Sequence, residues 1–356
     1  MAGAALLIAV DPDLYHRSVQ EDEVLEWVTF WSFSCAGVIY GMASIAAHRS
    51  SPRWPWFLAG LTLFCFLVAL EEISWGQRLL GYRPPAYFLA ENFQQELNLH
   101  NTLGDALRQN GFLLIVWGYG VLLPFSQAVP VLRSWAKALG IVAPPLALTP
   151  AFAATAILYQ VYPWTHSGEW AEAMLGSCML FVAVIQFGER GGQKAPRSAG
   201  SLGRSLVVVW LLTSLLGVVS ARLGWLLSAH DPERIAFARI ELDALGRDIA
   251  AARTRTRCGL HKRVYSMVEA YQQQHLFSGE FSALESMGLP EQRAQYFLDP
   301  WNSPYWIQHV CSKDHRQRAI FVYSFGPNRM RDSTDWEILE DDLGAWISRP
   351  RPTTSD

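Results

Sequence analysis

Apolar residues in this chain gather into six runs that carry almost no charge: about Trp27–Ala47, Trp54–Leu70, Gly111–Leu132, Leu146–Tyr162, Trp170–Phe187 and Leu206–Leu227. Each approaches the ~20 residues that a helix needs to cross a bilayer core. Trp27, Trp54, Trp56, Trp117, Trp164, Trp170, Trp210 and Trp225 fall mostly near the ends of these runs, where indole rings favour the membrane interface. The pattern predicts an α-helical polytopic membrane domain of six helices. Met1–Val10 is apolar but too short to span, lacks the basic flank and cleavage site of a signal peptide, and leaves room for a seventh.

Beyond Leu227 the pattern changes. Asp231-Pro232-Glu233 opens a helix with an acidic cap and a proline in the first turn. Ile235, Ala238, Leu242, Leu245 and Ile249 then recur at 3,4 spacing on one stripe, which suits either a short coiled-coil seam or a helix packed on its own downstream domain. Val264, Met267, Val268 and Tyr271 repeat the helical spacing on a face fit to lie against a sheet. Phe281–Met287 reads as a short helix. Trp306–Val310 and Ala319–Tyr323 have the β-branched and aromatic content of strands, joined by the charged connection Ser312–Arg318. The expected division is a membrane domain over 1–230, a helical connector over 231–258, a head over 259–347 and a disordered tail over 348–356.

Basic residues orient the spans, because short loops rich in Lys and Arg stay in the cytoplasm. Arg49 and Arg53, Arg133 and Lys137, and Arg190, Lys194, Arg197 and Arg204 occupy alternate loops. The other loops are poor in cations, so everything after Leu227 is expected outside the cytoplasm. The 51% hydrophobic content fits a chain half in the membrane, and the net charge of −3 is uninformative, as a basic inner face and an acidic head cancel. The expected partner is the lipid bilayer, and no nucleic acid.

In the outer region, Asp299-Pro300-Trp301-Asn302-Ser303-Pro304-Tyr305 is followed by Ser324-Phe325-Gly326-Pro327-Asn328 and then by Glu340-Asp341-Asp342-Leu343. In that order and spacing these pieces resemble the head of a type II secretion major pseudopilin, over roughly Ile235–Trp346. The resemblance implies a small α+β head, with a long helix packed on an antiparallel sheet. It also implies a calcium ion in the acidic loop, where Asp341 and Asp342 match the family's segment and Asn328 stands where Asp is usual; Asp332 and Asp335 add carboxylates and complete the candidate ligand set. Calcium takes six to eight oxygens from carboxylates and carbonyls, which such a loop supplies; the alternative is a solvated acidic loop. Asn328-Arg329-Met330-Arg331 replaces the family's glycine-rich stretch, and Asn302 replaces a glycine. The chain carries no basic leader ending in Gly before Phe-Thr-Leu-x-Glu and no glutamate five residues into the last apolar run. Release into a filament by the family's usual route is therefore not expected.

The resemblance bears on the cysteines too. Cys35, Cys65 and Cys178 lie in apolar runs, whereas Cys258 and Cys311 lie in the outer region, on the oxidising side. A pilin-like head lays its helix across its first strand, which would bring Cys258 to Cys311. The alternatives are a disulfide and two separate buried thiols.

One polar segment interrupts the membrane region. Glu71-Glu72-Ile73-Ser74-Trp75-Gly76-Gln77-Arg78, with Asn98-Leu99-His100-Asn101 downstream, resembles a segment of bacterial multi-span proteins without an established activity. If the second helix continues, Glu71, Ser74 and Arg78 share one face. Phe93, Leu97 and Leu103 with Gln94, Asn98 and Asn101 describe an amphipathic interfacial segment. Glu71, Glu72, Ser74, Arg78 and His100 are the candidate catalytic set, and His166, Glu169 and Glu172 would join them in one outward-facing pocket. Such a set would hold a transition metal, or use a Glu as general base on a lipid or lipid-linked substrate. The alternative is a structural network in which Glu71 pairs with Arg78 and His100 caps a loop. No HExxH or Gly-x-Ser-x-Gly motif is present.

These readings lead to a bacterial inner-membrane protein with a pseudopilin-like periplasmic head and a role in envelope assembly or secretion through pilin-like or secretion-system partners. The alternative is a membrane-embedded hydrolase or transferase.

Overall fold

The computed structural model describes residues 7–10, 14–15, 18–19, 23–50, 53–80, 85, 87–88, 97–99, 102–164, 167–190, 199–228, 232–251, 258–273, 284–289, 291–301, 303–314, 317–329 and 331–350. The chain forms two compact units, Met1–Gln77 with Leu97–Leu223, and Arg78–Glu96 with Gly224–Asp356.

The first unit is helical. It contains α1 (Val24–Ser50) and α2 (Trp56–Glu72), then α3, which runs through Asp105–Leu113, a π-helical stretch Leu114–Leu122 and Leu123–Ser126. After it come α4 (Pro130–Ala138), α5 (Thr149–Val161), α6 (Ser167–Arg190) and α7 (Ala199–Ser228). The six apolar runs are largely helical, but among the described residues four helical stretches are long and apolar enough to cross a membrane: Val24–Ser50, Ala106–Ser126, Ser167–Gly188 and Gly203–Gly224. At 17 and 13 residues, α2 and α5 are shorter. Proline at the start of α5 and the left-handed Tyr162 at its end limit its length.

Phe33, Tyr40, Cys65, Phe152, Met179 and Leu180 fill the core between α1, α2, α3, α5 and α6. Helices approach closely where side chains are small. A Cβ at Gly120 would stand 2.2 Å from the Phe152 ring, and one at Gly217 would meet the Val28 side chain at 2.6 Å. Cys65 and Cys178 are buried thiols and Cys35 is a half-buried one, so the membrane-region cysteines pack as small hydrophobes, as expected.

The second unit holds the head. Its elements are α8 (Pro232–Ala251), β1 (Leu260–Arg263), α9 (Val264–Gln273), α10 (Glu291–Gln295), β2 (Trp306–Cys311), β3 (Arg318–Ser324) and β4 (Leu343–Ser348). The strands form one antiparallel sheet in the order β1-β2-β3-β4. The two strands expected from the sequence are β2 and β3; β1 and β4 were not foreseen. Lys262 and Arg263 in β1 and Gly344 in β4 weaken the strand pattern, and both strands sit at sheet edges, where pairing supplies what propensity does not.

Alternation gives the sheet two apolar faces. On one, Leu242, Leu245 and Ile249 of α8 meet Val264, Met267, Tyr305, Ile307, Val322 and Ala345. The stripe on α8 thus packs on its own head rather than forming a coiled-coil seam. Gly246 faces Ala345 here, and a Cβ on it would make ordinary contact at 3.4 Å. On the other face Ala319, Phe321 and Tyr323 lie under Trp306, Phe325, Trp336, Ile338 and Trp346. Cys258 and Cys311 are joined in a disulfide with Cα atoms 5.5 Å apart, which ties the turn before β1 to the end of β2.

One charged group crosses this core. Glu241 of α8 is fully buried. Arg293 Nη2 donates to both its carboxylate oxygens at 2.5 Å, and the Tyr305 hydroxyl donates to Oε2 at 2.6 Å. Arg293 Nε reaches the carbonyls of Leu298 and Asp299 at 3.2 Å. The helix is thereby joined to the turn that precedes β2.

Candidate functional site

Two groups of carboxylates stand out, one in each unit. In the first unit α2 does not continue past Glu72. Ser74, Trp75 and Gly76 all take positive φ, 47°, 56° and 76°, a left-handed turn that a helix cannot contain. The expectation that Glu71, Ser74 and Arg78 share a helical face is therefore corrected: the backbone reverses hand between them. The turn sends the Trp75 indole back to donate to Glu71 Oε1 at 2.7 Å. Glu71 Oε2 accepts the Leu99 N–H at 2.5 Å, and Gln77 Oε1 accepts the Leu97 N–H at 2.8 Å. Glu71 thus holds the returning segment 97–99, which is not helical.

Glu72, half-buried, feels the charges of Glu172, Glu169 and Glu71, in that order. Glu169 lies in the first turn of α6, where the helix dipole favours anions, and Glu172 follows in the second. Beside them Tyr15 is buried with Leu25 and Ala173 against Trp164 and Trp170. Of the expected pocket, Glu71, Glu169 and Glu172 lie near enough to Glu72 to act on it electrostatically. Ser74 is buried at the turn rather than on the helix face. His100, His166 and the Arg78 side chain lie outside the described residues. Gln77 and Trp75 were missed by sequence reading, because Gln77 pairs with a backbone N–H 20 residues away and Trp75 reaches Glu71 only through a left-handed turn that no spacing announces.

The second group is built on the head. Asp299, wholly buried, closes the turn before β2: Oδ1 accepts the N–H groups of Trp301 and Ser303 at 2.9 and 2.8 Å, and Oδ2 accepts the Ser324 hydroxyl at 2.6 Å. Burial pushes its carboxyl up to about 6, and those hydrogen bonds pull it back. Ser324 Oγ in turn accepts the Gly326 N–H at 2.9 Å. Gly326 has φ +65°, and a Cβ there would stand 2.0 Å from the Asp341 carbonyl oxygen. Only glycine lets the start of the acidic loop cross its end so closely. Asn302 lies outside the described residues.

In that loop Asn328 Nδ2 donates to Asp332 Oδ2 at 2.7 Å and to Asp341 Oδ1 at 2.8 Å. Asp332, Glu340 and Asp341 each bring one oxygen within 4.8 Å of the others. Asp342 Oδ2 accepts the Ser333 and Asp332 N–H groups at 2.7 and 3.2 Å, while its Oδ1 is buried and meets no donor among the described residues. Burial, and next the neighbouring Asp332, push Asp341 up to about 6; burial pushes Asp342 up to about 7. Asp335 stands apart, paired with Arg331 Nη2 at 2.7 Å.

The donor set fits a hard cation. Three carboxylates converge, and the Asn328 amide spans two of them where a cation would sit. Rotating that amide would offer its carbonyl oxygen in place of its nitrogen, since either orientation is set by the hydrogen bonds available. A Cys/His group in the head, Cys258, His309 and Cys311, has its sulfurs committed to the disulfide.

No protein-family model, curated protein or solved structure matches this chain.

Proposed function

We propose that this chain is a multi-span protein of a bacterial inner membrane that presents a pseudopilin-like head in the periplasm for envelope assembly or secretion. The reading rests chiefly on the head: α8 lies across an antiparallel sheet, the Asp299 turn feeds β2, and Ser324 at the end of β3 bonds back to that turn at the entry to the acidic loop. The Cys258–Cys311 disulfide supports an oxidising compartment, which agrees with the basic residues retained on the opposite side of the spans. Six spans follow if α2 and α5, apolar but short, cross with the four longer helices.

In this role the head is a docking module. Exposed edges and loops meet pilin-like partners, and calcium in the loop Asn328–Asp342 would be held by Asn328, Asp332, Glu340, Asp341 and Asp342. Bound there, the ion would neutralise carboxylates that burial otherwise keeps protonated, and fix the loop against Gly326. Crosslinking of the full chain in whole envelopes, followed by mass spectrometry, tests the role. Adducts between the head and pilin-like or secretion components are expected. Adducts confined to lipid-metabolising enzymes or to the chain itself would overturn it.

A second reading is a membrane-embedded hydrolase or transferase, favoured by the three carboxylates, Glu71, Glu169 and Glu172, that act on Glu72. Glu72 would act as general base, and Glu169 and Glu172 would bind a metal or a cationic headgroup. A stoichiometric transition metal in the purified full chain, lost with Glu72→Gln, would favour it.

A further inference from the structure

The helix α4 has no place in either reading. It is nine residues long and only Ala136 is buried. At about 100° per residue, Val131, Leu132, Trp135 and Leu139 share one side, and Arg133, Ser134 and Lys137 the other. The apolar side is open: Val131 is 59%, Trp135 65% and Leu139 54% exposed. A helix this short is marginal in water on its own hydrogen bonds, and one that leaves its apolar face uncovered needs another medium against that face.

The surroundings identify the medium. The Trp56 indole donates to the Leu139 carbonyl at 2.6 Å, which fixes the end of α4 beside the first turn of α2. There Trp54, Trp56 and Arg53 are exposed, and His48 and Arg49 end α1, with the His48 and Trp54 rings 5.1 Å apart. This end of the unit therefore gathers Arg49, Arg53, Arg133 and Lys137 with three exposed indoles. Neither 27–70 nor 106–168 contains an acidic residue. Cations, indoles and an uncovered aliphatic stripe gathered at one end of these apolar helices complement an anionic lipid surface.

We propose that α4 lies in the plane of the bilayer, with Val131, Leu132, Trp135 and Leu139 among the acyl chains and Arg133 and Lys137 on anionic phospholipid headgroups. The proposal rests on the membrane reading above. It adds a lipid-specific site to the first unit.

The test places a photoreactive benzophenone side chain at Val131, Trp135 or Lys137 of the full chain in its native membrane. Lipid adducts several-fold more abundant from 131 and 135 than from 137 are expected. Equal yields at the three positions, or protein adducts in place of lipid at 135, would overturn the proposal. In detergent, phosphatidylglycerol should raise the melting temperature by several degrees more than phosphatidylcholine does, and R133Q/K137Q should abolish the difference. Because Arg133 Nε also donates to the Gln127 carbonyl, K137Q alone serves if the double variant misfolds, and should lose about half the difference. An equal response of the parent protein to both lipids would refute the headgroup contacts. Release of the chain by alkaline carbonate would fail the membrane reading itself, whereas retention without lipid adducts would fail only this site.

Discussion

Replacing Arg293 by Met tests the argument that one buried ion pair holds α8 to the head. Glu241 is fully buried and its only described donors are Arg293 and Tyr305. Met fills a similar volume but leaves the carboxylate with the Tyr305 hydroxyl alone. Removing one partner of a buried pair costs about 3–5 kcal/mol, since the remaining charge stays desolvated. That is a large share of the roughly 5–15 kcal/mol that holds a typical domain together. The cost depends on pH in a defined direction. Burial already raises Glu241 above the ordinary 4.5, opposed by Tyr305 and Arg293, and losing Arg293 raises it further. A carboxyl raised in the folded state binds its proton there more tightly than in the unfolded chain. Its contribution is therefore most favourable below pH 4.5 and is lost as pH rises through the folded value. Arg293→Met should be strongly destabilised at pH 7 and nearly restored at pH 4.5. Exchanging both residues for Met should recover most of the loss, because a buried pair replaced by apolar groups is often neutral or stabilising. Pulse proteolysis of the full chain across a urea series, following cleavage within 258–350, measures the head without isolating it. A single variant within about 1 kcal/mol of the parent at pH 7, by the cost argued above, or a double variant as weak as the single, would refute the reasoning.

His261 gives an independent pH test. Its Nε2 lies 2.8 Å from the Tyr323 hydroxyl, its ring stacks on Trp306, and burial followed by Arg331 depresses it to about 4. A depressed His supports the fold fully above 6.5 and loses that support as pH falls toward 4, so the parent should weaken relative to His261→Gln over that window; parallel profiles would reject this. For calcium, the full chain in chelator should lose head stability as pH rises from about 4 to 7, because Asp341 and Asp342 hold protons in the fold at about 6 and 7. Calcium should flatten that fall and raise the melting temperature by mass action, an effect absent from D341N/D342N; identical melting of the parent with and without calcium would leave a metal-free acidic loop. Glu71→Gln keeps one acceptor where two are used, so backbone exchange at Leu97–Leu99 should accelerate, whereas Glu72→Gln should leave it unchanged. Non-reducing peptide mapping of protein from an oxidising compartment should return a Cys258–Cys311 peptide, with alkylation confined to Cys35, Cys65 and Cys178.

Legibility followed the range of the interactions. The six apolar runs were readable because lipid-length hydrophobicity is written residue by residue, and α8 because its stripe has the period of a helix. β2 and β3 were readable from their own aromatic and β-branched content. β1 and β4 were not: Lys262 and Gly344 argue against strands, and only pairing to β2 and β3 overrides them. The carboxylate group shows the same division. Glu71, Glu72, Glu169 and Glu172 were associated from their positions at the ends of helices expected on one face. What Glu71 does there was not readable, because the break at Ser74–Gly76 depends on a left-handed turn and on backbone N–H groups at 97–99. The sequence also gave no reason to join Glu241 to Arg293, which lie 52 residues apart.

The acidic loop is the clearest case of chemistry that depends on backbone rather than charge count. Six acidic residues from Asp332 to Asp342 would, if merely solvated, tolerate change at Gly326. Instead Gly326 sits where a Cβ would strike the Asp341 carbonyl, Ser324 links that crossing to buried Asp299, and Asp342 is buried behind two backbone N–H groups. Asp335, the residue whose charge is already matched by Arg331, points elsewhere. The fold therefore separates the solvated Asp335–Arg331 pair from the more buried Asp341 and Asp342 within the same short segment. Desolvated carboxylates without a cation must take protons near neutrality. A loop built this way makes its own stability respond to whatever cation replaces those protons, which a surface tract of acids does not do.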